Sequence, residues 1–363
     1  MIRKIFTNSR GHLFFNIFLF LLVSMPTISS IFLIFALISS TINRSDKYFE
    51  DKFNFFFFIT GISLVIISLL QTFSASSNLI VDWSISNTWL GLANWIPYFF
   101  LVWASQPYLN TYESRRKASI LLISGSIPLI ASIFGQYWFK WNGPFYLLNG
   151  LIVWFQRPIT GDFGASGLFN NQNYTSVWLL MLLPLSFALL RESRNFKLNK
   201  FIILSFTSCI LISLYLTKSR SGWIGTLIAS LLMVKTKYLF ILIPLFLLVL
   251  FFLFIALVPI LPNYQQYALN LFPAKILSRF QVIGFSELNY PRYLIWKKSF
   301  ELICEKPFIG WGAASFPILY ESSFKNNWRG HSHNIFLEIG QNYGIFPLII
   351  LLIIFMIILI KSF

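Results

Sequence analysis

The chain has 363 residues, of which 56% are hydrophobic and only 11% are charged, and its formal net charge is +16. An ordinary soluble domain carries about 25% charged residues, so this composition excludes that class and predicts a single membrane domain. In a soluble protein the positive charge would suggest nucleic acid, but here the basic residues cluster between apolar runs, so we expect membrane lipids and no nucleic acid as partners.

Apolar runs of about 20 residues, the length that a membrane helix requires, recur along the chain. Pro26 interrupts the first run, which we interpret as one or two spans and not as a removable signal peptide, because it has no small-residue cleavage pattern. The sequence therefore predicts an all-α polytopic membrane protein. The nine or ten predicted spans cover residues 13–41, 53–71, 89–106, 118–135, 174–190, 201–217, 220–235, 238–260 and 345–360.

Short loops rich in Lys and Arg predict the side of the membrane that each segment faces, because cytoplasmic loops carry this excess. If the first run is a helical hairpin, every basic loop falls on the cytoplasmic side. These loops are the N-terminus and residues 43–52, 113–117, 191–200 and 235–237. The segments that then fall on the outer face are residues 72–88, 136–173, 218–221 and 261–344.

The last outer segment, residues 261–344, is too long for a turn and too polar to cross the membrane. Within it, "RYLIWKKSFELI" places Trp296, Phe300 and Ile303 at i, i+4 and i+7. This spacing is typical of an amphipathic helix. We expect the helix to lie on the outer surface, with its aromatic side toward lipid or toward the helical bundle.

All twelve acidic residues lie outside the predicted spans or at their ends. A proton- or sodium-coupled transporter usually carries ionisable groups at membrane depth, so this distribution weighs against transport. The two cysteines, Cys209 and Cys304, make neither a disulfide framework nor a metal-thiolate cluster. We therefore expect any chemistry at the outer rim of the membrane.

"TKSRSG", residues 217–222, joins two apolar runs with almost no loop, which places Lys218 and Arg220 at the membrane surface. A cation there meets either the anionic group of a substrate or merely the phosphate of a lipid headgroup. Arg292 has a similar pair of interpretations, because it is either functional or a solvated charge on a surface helix.

Two of the three histidines, His331 and His333, lie one residue apart just before the last apolar run. They form a structural hydrogen-bonding pair, or bind a metal with Cys304 or Glu338 as the third ligand, or supply a general base. We favour the base, because an imidazole with an unperturbed pKa near ~6.5 is largely neutral at pH 7 and accepts a proton from a hydroxyl.

Four segments together resemble the O-antigen ligase and O-antigen polymerase superfamily of bacterial membrane glycosyltransferases. They are "GLFNNQNYTSVWLLMLLPLSFAL" (167–189), "TKSRSGWIG" (217–225), "RYLIWKKSFELICEKPFIGWGAASF" (292–316) and "HSHNIFLEIGQNYGIF" (331–346). The family motif of His, then Asn, Ser or Gln, then nine residues, then Gly is met by His333, Asn334 and Gly344. Pro347 stands where the pattern more often has Gly, Thr or Tyr.

This resemblance implies a helical bundle of the type C glycosyltransferase class, in the bacterial inner membrane, with a long periplasmic loop over an outward-facing cavity. By motif, His333 matches the catalytic histidine of the family, and Arg220 and Arg292 match its two essential arginines.

Other residues are candidates for substrate binding. Asn173 has an alternative interpretation as a helix N-cap, which we favour, because it directly precedes an apolar run. His331 has no match in the family motif, and we expect it to support its neighbour or to have no role. The full set of substrate-binding candidates is Lys218, Asn171, Asn173, Asn334 and His331.

The chemistry suits these residue types. No nucleotide-activated sugar is available outside the plasma membrane, so the expected donor is a polyprenyl-pyrophosphate-linked glycan. We expect Arg220 and Arg292 to converge on its pyrophosphate, because departure of this leaving group requires charge neutralisation, which guanidinium groups supply. A histidine base activates the acceptor hydroxyl, on a glycan or a lipid, for attack on the opposite face of the anomeric carbon. This inverting transfer requires no metal and no cofactor.

Two further interpretations stay open beside the transferase. A ligase and a polymerase use the same end of the donor, so the sequence does not separate them. A branch of the superfamily carries an inorganic-carbon transporter label, which makes a membrane transporter the first alternative. The second is an inactive scaffold, because family members often have one or two further spans after the histidine loop, whereas this chain stops at Phe363 after one.

Overall fold

The computed structural model describes residues 8–44, 48–74, 83–161, 163–192, 197–233, 291–324 and 329–362, with a few further positions between 244 and 270. These residues are mostly helical, and the two strands among them form one short hairpin. The predicted all-α polytopic membrane fold is thereby confirmed. The predicted span 238–260 lies mostly outside the described residues.

The elements of the described residues follow in chain order. They are α1 (Asn8–Leu21), α2 (Pro26–Asn43), α3 (Lys52–Ser74), α4 (Ser86–Leu92), α5 (Ile96–Ser105), α6 (Tyr112–Gly125), α7 (Ile127–Trp138), β1 (Phe145–Leu147), β2 (Ile152–Trp154), α8 (Gln172–Glu192), α9 (Lys197–Leu216), α10 (Arg220–Met233), α11 (Pro291–Glu305), α12 (Phe316–Ser323), α13 (Ile335–Tyr343) and α14 (Ile345–Ser362).

The chain divides into two compact units, each built from two stretches of sequence. The first unit comprises Met1–Arg44 and Ala104–Phe251, and the second comprises Ser45–Trp103 and Phe252–Phe363. The single membrane domain expected from the sequence stays a prediction.

Prolines explain where predicted spans break. The first predicted span divides into α1 and α2, and α2 begins at Pro26 as its position suggested. The predicted spans 89–106 and 118–135 also divide, and the second half of each has a proline, Pro97 or Pro128, at its second position. Proline lacks the N–H that a continuing helix would use, but the first turn of a helix tolerates it.

Four stretches of the described residues are long and apolar enough to cross a membrane. They are Pro26–Asn43, Lys52–Ser74, Tyr112–Trp138, which joins α6 and α7, and Gln172–Glu192. Lys200–Leu216 and Ile345–Lys361 are shorter apolar helices. The chain is therefore a membrane protein, and its nine or ten crossings stay a prediction.

In the first unit, α8 packs against α6, α9 and α10. Its core consists of aliphatic side chains, and Leu179 and Leu183 of α8 are fully buried there with Leu129 and Ile133 of α7. This packing fixes the middle of α8 relative to its neighbours.

In the second unit, α14 packs against α3 and α13, and α13 also packs against α11. Gly340 lies where α13 meets α11, because a Cβ there would be 2.8 Å from Cδ1 of Ile303. The amphipathic helix expected at 292–303 is α11. Its buried side includes Ile295, Leu302 and Ile303, whereas the aromatic side chains of the predicted stripe, Trp296 and Phe300, are exposed.

Gly344 ends α13 with a φ of 84° and a ψ of −177°, a backbone region that is essentially restricted to glycine. A Cβ at this position would lie 2.5 Å from the carbonyl oxygen of Phe308. The adjacent Ile345 N–H donates to the carbonyl of Pro307 at 2.7 Å. The segment after α11 is thus clamped against the junction of α13 and α14.

We predict that Gly344→Ala lowers the thermal unfolding midpoint in detergent, because it adds both backbone strain, about 1–3 kcal/mol, and a collision with rigid backbone. Gly150→Ala is the matched control, since Gly150 also has a positive φ, 88°, but a Cβ added there would have nothing within 4 Å. Equal shifts in the two variants would contradict the clamp.

Candidate active site

The "TKSRSG" turn between α9 and α10 presents cations at a helix N-terminus. Ser219 caps α10, because its Oγ accepts from the N–H of Gly222 at 3.3 Å. Lys218, directly before the cap, has a left-handed backbone with a φ of 53°. Arg220 is the first residue of α10, and its side chain is exposed. A cation is disfavoured at the positive end of a helix dipole, so an anion here gains from both the guanidinium and the dipole.

The N-terminus of α8 lies beside this turn. Asn173 Oδ1 accepts a hydrogen bond from Ser219 Oγ at 2.9 Å, and Ser176 Oγ lies 3.0 Å from the same hydroxyl. The structure thus brings the candidates Asn171 and Asn173 next to Lys218 and Arg220, although about 45 positions separate them in the sequence.

The favoured interpretation of Asn173 as a helix N-cap is wrong. Helix α8 begins at Gln172, and Asn171 is its cap, because Asn171 Oδ1 accepts from the N–H of Asn173 at 2.8 Å. The apolar run begins only at Tyr174, so the polar first turn of α8 gives no periodic signal.

The segment before α8 supports the turn from the other side. Ala165 N–H donates to the carbonyl of Leu216 at 3.0 Å, and Gly164 packs so closely on Thr217 that a Cβ would collide with its carbonyl group. Buried Gln136 of α7 holds this segment, since its amide donates to the carbonyl of Arg157 at 2.9 Å and accepts from Gly167 N–H at 2.7 Å. An isolated glutamine in an apolar run gave no sign of this role.

In the second unit, the family motif corresponds to one helix with both ends capped. Asn334 Oδ1 accepts from the N–H groups of Phe336 at 3.0 Å and Leu337 at 3.3 Å. Helix α13 follows with nine residues, and Gly344 ends it. The spacing of nine therefore reflects the length of α13, and it places His333 directly before the helix N-terminus. The Oδ1 of Asn334 is engaged as a cap, and contact between this residue and substrate stays a prediction.

A buried hydrogen-bond network fixes the loop that carries the two histidines. Ser332 is fully buried, and its N–H and Oγ donate to Glu338 Oε2 at 2.9 and 2.8 Å. The other carboxylate oxygen of Glu338 accepts from Asn342 at 3.3 Å. The loop is therefore tied back to α13 through one carboxylate, and the residues on either side of Ser332 point outward.

Both histidines are exposed, and they contact each other. His333 has a left-handed backbone with a φ of 53°, and its N–H donates to Nδ1 of His331 at 3.2 Å. Their ring centroids are 4.1 Å apart. His331 thus offers a side-chain acceptor to the backbone of His333, and its contact with substrate stays a prediction.

The surroundings of His333 favour its neutral form. Partial burial lowers the pKa of the imidazole below its usual value, and the positive charges of His331, Arg292 and Arg329 lower it further. The carboxylate of Glu338 acts in the opposite direction but does not reverse the shift. The guanidinium of Arg292 on α11 is thus an electrostatic neighbour of the predicted base.

The structure therefore groups the predicted site residues into two sets. Asn171, Asn173, Lys218 and Arg220 lie in the first unit, and Arg292, His331, His333 and Asn334 lie in the second. The convergence of Arg220 and Arg292 on one anionic group stays a prediction.

Sequence reasoning missed two residues that shape these sets. Ser219 and Ser332 were not singled out, because serines in a polar loop carry no periodic or motif signal. Glu338 was considered only as a metal ligand, and in the structure its oxygens are engaged by Ser332 and Asn342. Among the described residues, no three His, Cys, Asp or Glu side chains group as a metal site.

A cavity of about 530 Å³ in the first unit is separate from these residues. It lies between α6, α8 and α9, and Tyr112, Arg116 and Glu192 form the polar part of its lining. It contains none of the predicted site residues.

The comparisons with known proteins agree with the resemblance inferred from the motifs. Residues 205–352 match the family described as O-Antigen ligase. A ComP-specific O-oligosaccharyltransferase of Acinetobacter baylyi is 29% identical over 189 residues, which cover 50% of this chain and 32% of that protein. The matched part thus spans about a third of the relative's length. No solved structure matches the chain.

We predict that Glu338→Ala loosens the histidine loop. It leaves the buried N–H of Ser332 without its acceptor, at a cost of roughly 1–3 kcal/mol, and leaves the hydroxyl only the carbonyl of Asn334 at 3.0 Å. Hydrogen exchange of the Ser332 amide should accelerate roughly ten- to hundredfold, measured by mass spectrometry on peptides across this loop. Glu301→Ala is the control, since this exposed residue of α11 makes only a 3.9 Å pair with Lys298. Unchanged exchange in Glu338→Ala would disprove the role of the carboxylate.

Proposed function

We propose that this chain, which is similar to the O-antigen ligase family over residues 205–352, transfers a glycan from a polyprenyl-pyrophosphate-linked donor to an acceptor hydroxyl in surface polysaccharide assembly. The transfer inverts the anomeric centre, uses no metal, and takes place at the periplasmic face of the bacterial inner membrane. The observation that carries the proposal is the exposed imidazole of His333, which contacts His331 and lies directly before the capped N-terminus of α13.

His333 acts as the general base in this proposal. Its lowered pKa keeps it unprotonated at neutral pH, and its outward side chain is accessible to an acceptor. As the acceptor oxygen forms its bond to the anomeric carbon, the hydroxyl proton passes to the imidazole. The bond from that carbon to the pyrophosphate oxygen breaks in the same displacement, so the products are the glycosylated acceptor and the polyprenyl pyrophosphate.

The arginines neutralise the leaving group. Arg292 belongs to the same unit as the base and is its electrostatic neighbour. Arg220 sits at the N-terminus of α10, where the helix dipole adds to its attraction for phosphate oxygens. A guanidinium presents a fork of donors that matches phosphate geometry, which favours arginine over lysine in this role.

The periplasmic face is supported by charge and by chemistry. The loops richest in Lys and Arg, such as 113–117 and 191–200, are typical of the cytoplasmic side, and the segments with the site residues alternate with them. A donor that is carried by a membrane lipid is available on the side where nucleotide sugars are absent. Ligase and polymerase activities share this donor end, and the acceptor distinguishes them.

We predict that His333→Asn reduces glycan transfer by roughly 10²- to 10⁴-fold, because the contribution of a general base acts on the chemical step. Asparagine tolerates the left-handed backbone at this position, so the loop should remain folded. The assay uses purified protein in nanodiscs, a polyprenyl pyrophosphate oligosaccharide, and release of polyprenyl pyrophosphate as the readout.

The matched control is His331→Asn, which we expect to retain substantial activity, because asparagine also offers a side-chain acceptor for the N–H of His333. Equal losses in the two variants, or activity that EDTA removes and zinc restores, would refute the base and favour a metal bound by both histidines.

We predict that the activity has an acidic limb below pH 6.5. A base works only when it is neutral, so transfer should fall as the pH drops through the lowered pKa of His333. Arg329→Gln removes one of the charges that lower this pKa, so the limb should move to higher pH. Lys297→Gln, an exposed position on α11, is the control and should leave the limb in place. An identical profile in all three proteins would exclude His333 as the titrating group.

A further inference from the structure

The hairpin formed by β1 and β2 in the first unit exposes apolar side chains on both of its faces. All three residues of β1 are exposed, and Tyr146 retains 68% of its accessible surface. The turn that follows exposes Leu148 and Leu151 by more than half. Side chains alternate between the two faces of a strand, so a hairpin that met water on one face would alternate apolar with polar residues. β1 shows no such alternation, and its apolar surface requires a cover.

The hairpin is held level with the ends of membrane helices. Trp141 N–H donates to the carbonyl of Gly135 at 3.1 Å, and its ring packs where a Cβ of Gly135 would be. The chain thus turns back beside the last turn of α7 instead of leading away from it. Trp154 of β2 donates from Nε1 to the carbonyl of Ser24, in the turn between α1 and α2, at 2.8 Å.

The two strands have different surroundings. Ile152 of β2 is buried, and Trp154 packs on the core of the first unit, so β2 is the inner strand. β1 pairs with the edge of β2 that lies away from this core, and Phe145 lies opposite Trp154. The exposed strand therefore lies directly outside helices that are themselves apolar enough to cross the membrane, at the depth of their ends.

The charged residues around the hairpin indicate what covers its apolar surface. Lys140 and Arg157 flank it, and both are exposed. No acidic residue occurs between positions 138 and 161, and the next acid, Asp162, lies outside the described residues. Aromatic side chains flanked by cations are typical of segments at the boundary between acyl chains and anionic headgroups.

We propose that this hairpin is embedded in the membrane interface, with β1 and the turn among the acyl chains and Lys140 and Arg157 at the lipid phosphates. The same segment continues into the contacts that hold Lys218 and its turn, through Gly161 and Ala165. The hairpin thereby fixes one end of the loop that supports the cationic turn at the depth of the headgroups.

A single label on the hairpin tests this placement. Cys209→Ala and Cys304→Ser remove the native thiols, and Tyr146→Cys carries an environment-sensitive fluorophore in proteoliposomes of phosphatidylethanolamine and phosphatidylglycerol. Thr160→Cys is the control, because it is an exposed polar position of the same loop. Quenching is measured with iodide in the water and with a nitroxide on the lipid acyl chain.

We expect the label at position 146 to be quenched several-fold more by the acyl-chain nitroxide than the label at position 160, and several-fold less by iodide. Equal iodide quenching at both positions would overturn the proposal and show a loop in water. A label shielded from iodide but also from the nitroxide would overturn it as well, since protein, such as a second copy of the chain, would then be the cover. Because Tyr146 is exposed, its replacement should leave the fold intact, which gel filtration verifies.

Discussion

The carboxylate of Glu338 is the contact on which the geometry of the second unit's loop depends. It accepts from both the N–H and the hydroxyl of buried Ser332, and the N–H would otherwise be desolvated without a partner. With Ser332 drawn inward, the backbone must turn sharply on either side of it, and His331 and His333 are turned outward. A charged acceptor makes stronger hydrogen bonds than a neutral one. These bonds help to offset the conformational entropy that is lost when the loop is ordered.

In both units, the same local backbone conformation positions a basic residue beside a helix N-terminus. In each, a residue with a φ of 53° precedes an N-cap: Lys218 before Ser219, and His333 before Asn334. A left-handed residue reverses the chain within one step, so its side chain projects away from the approaching segment and lies near the unsatisfied N–H groups of the helix. Such strain, about 1–3 kcal/mol, persists only where neighbouring contacts enforce it. At Lys218 these contacts come from Gly161 and Gly164, and at His333 from Glu338 and His331.

Sequence patterns predicted the parts of this architecture that depend on local chemistry. The helix start at Pro26 followed from the missing N–H of proline. The motif that singled out His333 has a spacing that the structure explains as the length of a capped helix, and the role of His333 stays a prediction. The start of α8 was misplaced because its first turn is polar. The contact of Ser219 with Asn173 arises only when distant segments meet, and the contact of Glu338 with Ser332 arises only when the loop folds back on the helix that follows it. No periodicity encodes either contact. The helix break before Pro128 gave no sequence signal, because the apolar run continues across it.

The double capping of α13 has an evolutionary consequence. Each residue inserted into an α-helix rotates the residues after it by roughly 100° and advances them by about 1.5 Å. An insertion between Asn334 and Gly344 would therefore either move His333 out of its setting or separate Gly344 from the carbonyl groups of residues 307 and 308. Length variation among relatives should consequently be absent from these eleven positions. Divergence would then proceed by side-chain replacement within this stretch and by insertion only beyond it.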